Sequence, residues 1–252
     1  MDLRERPSGP FLRHPWETAR ARFFGELVRS HFPGAAPARI LDVGAGDGWL
    51  ARELARKGPG LGEIVCWDAG YADGVPGDLV ADAPASVRFR ADRPQERFGF
   101  LLLLDVLEHL EDDRAFLTSL VGENLAPQGR LLVSVPAWPW LFGAHDRALG
   151  HQRRYSPRSC RGLLRAAGLQ VLHSGGLFAS LLALRLPLRI LEGMRGPAPP
   201  PAPSSLQWRH GEASARLVER LLGLDARVSR AASRGRLELP GLSYWAVCES
   251  SR

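Results

Sequence analysis

Apolar residues along the chain alternate between two rhythms, one helical and one extended. From Pro15 to His31, Phe23 and Phe24 are followed by Leu27 and Val28 at helical spacing. Pro15 suits a first helical turn, and Pro33 and Gly34 are expected to stop the helix. Arg39 to Val43 is a short apolar run that ends at glycines, which predicts a first strand. Gly48 to Lys57 then places Leu50, Leu54 and Ala55 on one helical face before Gly58 and Pro59. Strands are predicted at Glu63 to Trp67, ending at Asp68, and at Val87 to Arg90, ending near Asp92. Between them, Tyr71 to Ser86 is rich in Asp, Gly and Pro and is expected to hold little regular structure.

Phe100 to Leu104 is continuously apolar, as a parallel strand covered on both faces requires. Asp112 to Leu125 reads as a helix, Pro127 to Gly129 as a turn, and Arg130 to Val135 as the fifth strand. Ser156, Pro157 and Gly168 frame another helix. Leu169 to His173 and Ser243 to Cys248 resemble the last two strands, and Glu212 to Val228 is helical. Arg195 to Ser204 reads as an extended, proline-rich linker. The alternation predicts an α/β fold with a mostly parallel sheet and right-handed crossovers.

The longest apolar stretch, Gly175 to Leu191, is interrupted by Arg185, Pro187 and Arg189, so it is too short and too charged to span a bilayer. A buried helix is the default reading; a surface-lying segment that covers an apolar substrate or touches a membrane is the alternative. Composition adds bounds. The 252 residues are 45% hydrophobic, enough for one sizeable core. The net charge of +6 is almost entirely arginine, since Lys57 is the only lysine. That bias reflects base composition or an anionic partner, but no aromatic-interleaved basic run points to nucleic acid. Cys66, Cys160 and Cys248 are scattered and odd in number, without metal-ligand spacing. No disulfide and no metal are expected, and a reducing cytoplasm fits best. Met1 to Pro10 lacks the apolar core of a signal peptide.

The strongest chemical signal is Leu41-Asp42-Val43-Gly44-Ala45-Gly46-Asp47-Gly48, which follows a strand and opens a helix. Its Gly-x-Gly-x-Gly spacing differs from the Gly-x-Gly-x-x-Gly that seats a pyrophosphate on a helix N-terminus. Asp68 with Ala69, Asp92 with Arg93, and Asp105 with Val106 follow at successive strand ends, where open α/β sheets bind ligands. A carboxylate at Asp68 can accept both ribose hydroxyls of a nucleoside; the structural alternative is that such acids cap turns.

These residues resemble class I S-adenosylmethionine (SAM)-dependent methyltransferases. Leu41 to Gly48 is similar to that family's first motif, Asp105-Val106-Leu107-Glu108-His109-Leu110 to its post-strand-four segment, and Gly129 to Val135 to its strand-five entry. Val135 to Phe142, His145-Asp146, His151 to Tyr155 and His14 to Glu17 resemble one bacterial subgroup. The resemblance implies a Rossmann-like three-layer sandwich with seven strands, the last antiparallel and inserted between strands five and six. It implies S-adenosyl-L-methionine as cofactor and places Gly44, Gly46, Asp68, Asp92 and His109 around it; Ala45, Gly48, Ala69, Arg93, Asp105 and Val106 adjoin them. Asp42 would neutralise the SAM ammonium. Trp49, where the family often has a small residue, is expected to pack. The implied regions are a helical lid (1–34), a SAM-binding core (35–174), a cover insertion (175–240) and a last strand (241–252).

Methyl transfer chiefly requires alignment of donor and acceptor, with a base only where the acceptor must lose a proton. His109, His145 and His151 are the candidate bases. Arg153 and Arg154 either clamp an anionic group on a small-molecule acceptor or pair with Asp146 or Glu108. Trp138, Trp140, Asp146, Tyr155 and Arg20 complete the expected acceptor site. A nicotinamide-dependent oxidoreductase and a non-catalytic SAM-binding or membrane-associated protein are the competing readings.

Overall fold

A computed structural model describes residues 11–32, 39–58, 61–195 and 208–250. The helix stop at Pro33-Gly34, Pro59, the leading residues Met1 to Pro10 and most of the proline-rich linker lie outside the described residues. In chain order the elements are α1 (Pro15–His31), β1 (Ile40–Val43), α2 (Trp49–Lys57), β2 (Ile64–Trp67), α3 (Gly77–Ala81), β3 (Val87–Arg90), β4 (Phe98–Leu104), α4 (Asp113–Asn124), β5 (Leu125–Pro136), α5 (Ala144–Ala148), α6 (Pro157–Ala166), β6 (Leu169–Leu177), α7 (Ala179–Arg195), α8 (Gly211–Arg234) and β7 (Ser243–Ser250).

The seven strands form one sheet in the order β3-β2-β1-β4-β5-β7-β6. Neighbours from β3 to β5 pair in parallel, whereas β7 runs antiparallel to both β5 and β6. This is the Rossmann-like arrangement that the motif resemblance implies. Successive side chains of each strand enter opposite layers. Leu41, Leu101, Leu103, Leu131 and Val133 pack with Leu117, Leu120 and Leu164 of α4 and α6. Ile40, Phe100, Leu102 and Leu132 pack with Phe23, Phe24 and Leu27 of α1, Leu54 of α2 and Leu222 of α8. Because both faces are covered, the central strands read as unbroken apolar runs.

Tyr71 to Ser86 holds little regular structure, as expected: the end of a 3-10 turn at Ala69–Tyr71 and the short helix α3, which bury Tyr71 and Leu79 against β2 and β3. One strand is longer than expected: β6 continues past His173 and past position 174 to Leu177, into the run expected to be helical. Glycine explains the extension. A Cβ on Gly176 would lie 2.1 Å from the Gly241 nitrogen, so only a bare backbone fits against the approach to β7.

Candidate active site

The C-terminal ends of β1, β2 and β4 converge on the glycine loop. Gly44, Gly46 and Gly48 all adopt left-handed φ angles of 67°, 55° and 62°. A side chain at Gly44 would be strained, and its Cβ would lie 2.5 Å from Val106 Cγ2. Main-chain bonds hold the bend: Gly44 N donates to Trp67 O at 2.8 Å, and Gly48 N to Ala45 O at 2.9 Å. Trp49 packs as expected, with the Arg13 guanidinium 4.3 Å over its ring.

Asp42 sits beneath this loop, 4% exposed. Burial, with repulsion from Asp68 and Asp47, lifts its carboxyl to about 7. No described residue donates a hydrogen bond to it. Asp68 is engaged through both oxygens, accepting from Gly46 N and from Gly70 N, each at 2.7 Å. It therefore does cap a turn, yet each oxygen keeps a further lone pair and the residue is only partly buried. Tyr71 fastens the loop from below, its hydroxyl donating to Gly46 O at 2.5 Å. Tyr71 lies in the Asp-, Gly- and Pro-rich stretch, and only the fold brings its hydroxyl to the loop. Asp92 and Ala69 are exposed beside the cleft.

Asp105 closes β4 with a left-handed φ of 57° and forms an ion pair with Arg20. Ser134 Oγ donates to Asp105 Oδ1 at 3.2 Å, and the Trp16 ring lies 4.4 Å from the Arg20 guanidinium. Arg20, expected on the acceptor, is thus tied to a residue expected on the cofactor. Arg93, expected beside the cofactor, is tied to α4. Its guanidinium donates to Asn124 Oδ1 at 2.8 Å and Ser119 Oγ at 2.7 Å, so it fastens α4.

The loop after β5 forms the other side. Asp146, 1% exposed, accepts from Arg154 Nε at 2.7 Å and from Gly143 N at 2.9 Å, and contacts His151 Nδ1 at 3.0 Å. Burial alone would raise its carboxyl; the bonds from His151 and Arg154 outweigh this and hold it near 2. Asp146 and Arg154 therefore hold the loop through the pairing expected as one alternative. Arg153 pairs with Asp113 at 3.3 Å and donates to Glu111 O at 2.7 Å. The Tyr155 hydroxyl donates to Asp113 Oδ2 at 2.6 Å. The structure ties both of these expected acceptor residues to Asp113 of α4. Trp138 is tethered by its indole nitrogen to Gly241 O at 2.8 Å, whereas Trp140 is 49% exposed.

His109 and His151 meet edge to face, ring centroids 4.8 Å apart, over the fully buried Glu108. His145 is exposed on α5. Burial, reinforced by Asp105, pushes the Glu108 carboxyl well above its ordinary range. Glu108, expected as an alternative partner for Arg153 or Arg154, forms no ion pair with either among the described residues.

Fold and loop together define an α/β protein whose strand ends converge on a left-handed glycine loop above a buried acid. The methyltransferase domain family matches residues 11–174, and the chain belongs to it, within the class I SAM-dependent methyltransferases. Curated relatives include the ubiquinone biosynthesis O-methyltransferase of Azorhizobium caulinodans, 34% identical over 125 residues, 45% of this chain and 46% of the relative. The protein of the same name from Chelativorans sp. is 30% identical over 143 residues, 51% of this chain and 55% of the relative. The chain spans about half the length of the curated relatives it matches. Among solved structures, a SAM-dependent methyltransferase from Mesorhizobium loti superposes with a TM-score of 0.52 at 14% identity, over 89% of this chain and 96% of that one. The [4+2]-cyclase SpnF also superposes at 0.52, with 17% identity, over 96% of this chain and 84% of that one. The fold alone therefore does not fix the reaction.

Proposed function

We propose that this protein transfers the methyl group of S-adenosylmethionine to an oxygen of a small, partly apolar acceptor. The observation that carries this reading is the left-handed glycine loop above the buried carboxylate of Asp42. An amino-acid ammonium fits such a carboxylate, whereas a pyrophosphate would be repelled by it. When bound, SAM supplies a methyl group already activated on a sulfonium. The chain's own task is placement. Gly44, Ala45, Gly46 and Gly48 provide a surface without projecting side chains, Asp42 takes the ammonium, Asp68 the ribose hydroxyls and Asp92 the adenine amino group. Val106 and His109 border the transferring end.

The β5 loop, held by Asp146, presents His145, His151 and Trp140 to the acceptor. The names of the curated relatives support an oxygen acceptor on a small molecule. α1 contributes the covering side through Trp16 and Arg20, and the segment from 175 to 240 the acceptor cover. No helix among the described residues is long and apolar enough to cross a membrane. Exposed Leu217, Leu221, Leu224 and Val228, spaced along one face of α8, support peripheral contact with an apolar surface. Three buried free cysteines support a reducing, cytoplasmic setting. The test is calorimetric titration with SAM and, separately, with NAD, followed by label transfer from SAM to phenolic acceptors. Saturable binding of SAM alone, with label on an acceptor oxygen, is expected; binding of NAD instead would overturn the assignment.

A further inference from the structure

We propose that Glu108, His109 and His151 form a binding site for one divalent transition-metal ion. The cysteine spacing gave no reason to expect a metal. The histidines come from segments more than forty residues apart in sequence, a 3-10 turn at Leu107–His109 and the β5 loop, and only the fold unites them. One ligand atom from each of the three lies within 4.8 Å of the others. Two imidazole nitrogens and one carboxylate are a borderline donor set, suited to zinc, manganese or ferrous iron rather than to calcium.

Two further observations point to a cation. Glu108 is fully buried, and neither carboxylate oxygen accepts a hydrogen bond from any other described residue. Buried acids left in that state are rare and costly, and an ion would satisfy both oxygens. The second concerns His151. Its Nδ1 faces the buried Asp146, itself anchored by Arg154, so the ring is oriented by a carboxylate on one nitrogen. A metal-ligating histidine is commonly held in this way, which leaves Nε2 for the ion. With three protein donors, the ion keeps an open position for water or an acceptor oxygen. That last role rests on the methyltransferase reading; metal binding itself does not.

The test uses the full chain, stripped with EDTA and titrated calorimetrically with zinc chloride and with manganese chloride. About one equivalent of at least one ion is expected to bind and to raise the melting temperature. His109→Gln, at an exposed position, and Glu108→Gln should each weaken binding about 100-fold. His31→Gln, in the separate His31–His173 pair, should leave it unchanged. SAM titration of the same samples separates the two claims. SAM binding without metal binding removes the metal site and leaves the function. Metal affinity unchanged in folded His109→Gln protein would mark the binding as adventitious and overturn the proposal.

Discussion

The two sides of the crevice are built by different means. The glycine-loop side is shaped by backbone: three left-handed glycines, main-chain bonds to Trp67 and Ala45, and a tyrosine hydroxyl on Gly46. The β5-loop side is shaped by charge, with Asp146 gathering Arg154, His151 and Gly143 N, and Asp113 gathering Arg153 and Tyr155. A side made of backbone tolerates no added atoms at its glycines. A side made of ion pairs tolerates shape changes but fails when its central acid is lost. Ligand affinity should therefore break on the first side and stability on the second.

The largest effect on ligand affinity is expected from Gly44→Ala. The new Cβ meets Val106 in a left-handed backbone, and SAM affinity should fall on the order of 100-fold by calorimetry. Next, Asp146→Ala leaves Arg154 without its buried partner and should cost about 3 kcal/mol in denaturant unfolding. SAM affinity in the folded fraction should stay within about twofold; a parallel collapse would show that the two sides are one unit.

Asp42 gives a pH signature. Its carboxyl titrates near 7 in the fold against 3.8 when unperturbed, so the folded protein holds a proton that the unfolded chain releases. Stability should fall as pH rises through that window, while SAM affinity, which needs the ionised form, should rise several-fold between about pH 6 and 7.5. Asp42→Asn should flatten both curves, and an unchanged wild-type slope in the variant would remove Asp42 from the ammonium site. The smallest effect belongs to Tyr71→Phe, which deletes one bond to Gly46 O and should cost about 1 kcal/mol of stability.

The same contrast explains what the sequence made legible. Gly44, Gly46 and Gly48 carry their conformational demand within five residues, so the loop and the strand ahead of it can be read locally. Helix α6 is equally local, with Ser156 Oγ accepting from Ser159 N at 3.0 Å. The β5 loop cannot be read this way. Tyr155 looks like a site residue until Asp113, 42 residues earlier, takes its hydroxyl. Arg93 likewise finds Ser119 and Asn124 only once α4 has packed. The end of β6 is not legible because Ser174, Gly175 and Gly176 carry no strand pattern, and the burial of Glu108 because burial of an acid leaves no trace in pattern.

The placement of β7 carries a consequence for biogenesis. β5 and β6 have no direct pairing; each bonds to β7, which is translated after both. The β5 loop is also anchored there, through Ala137 N on Leu242 O at 3.0 Å and the Trp138 indole on Gly241 O. The nascent polypeptide can thus assemble its glycine-loop half early, but the opposite wall must await the final strand. A ribosome stalled before Leu242 would hold a half-finished sheet with an open edge, a species that chaperones would need to shield.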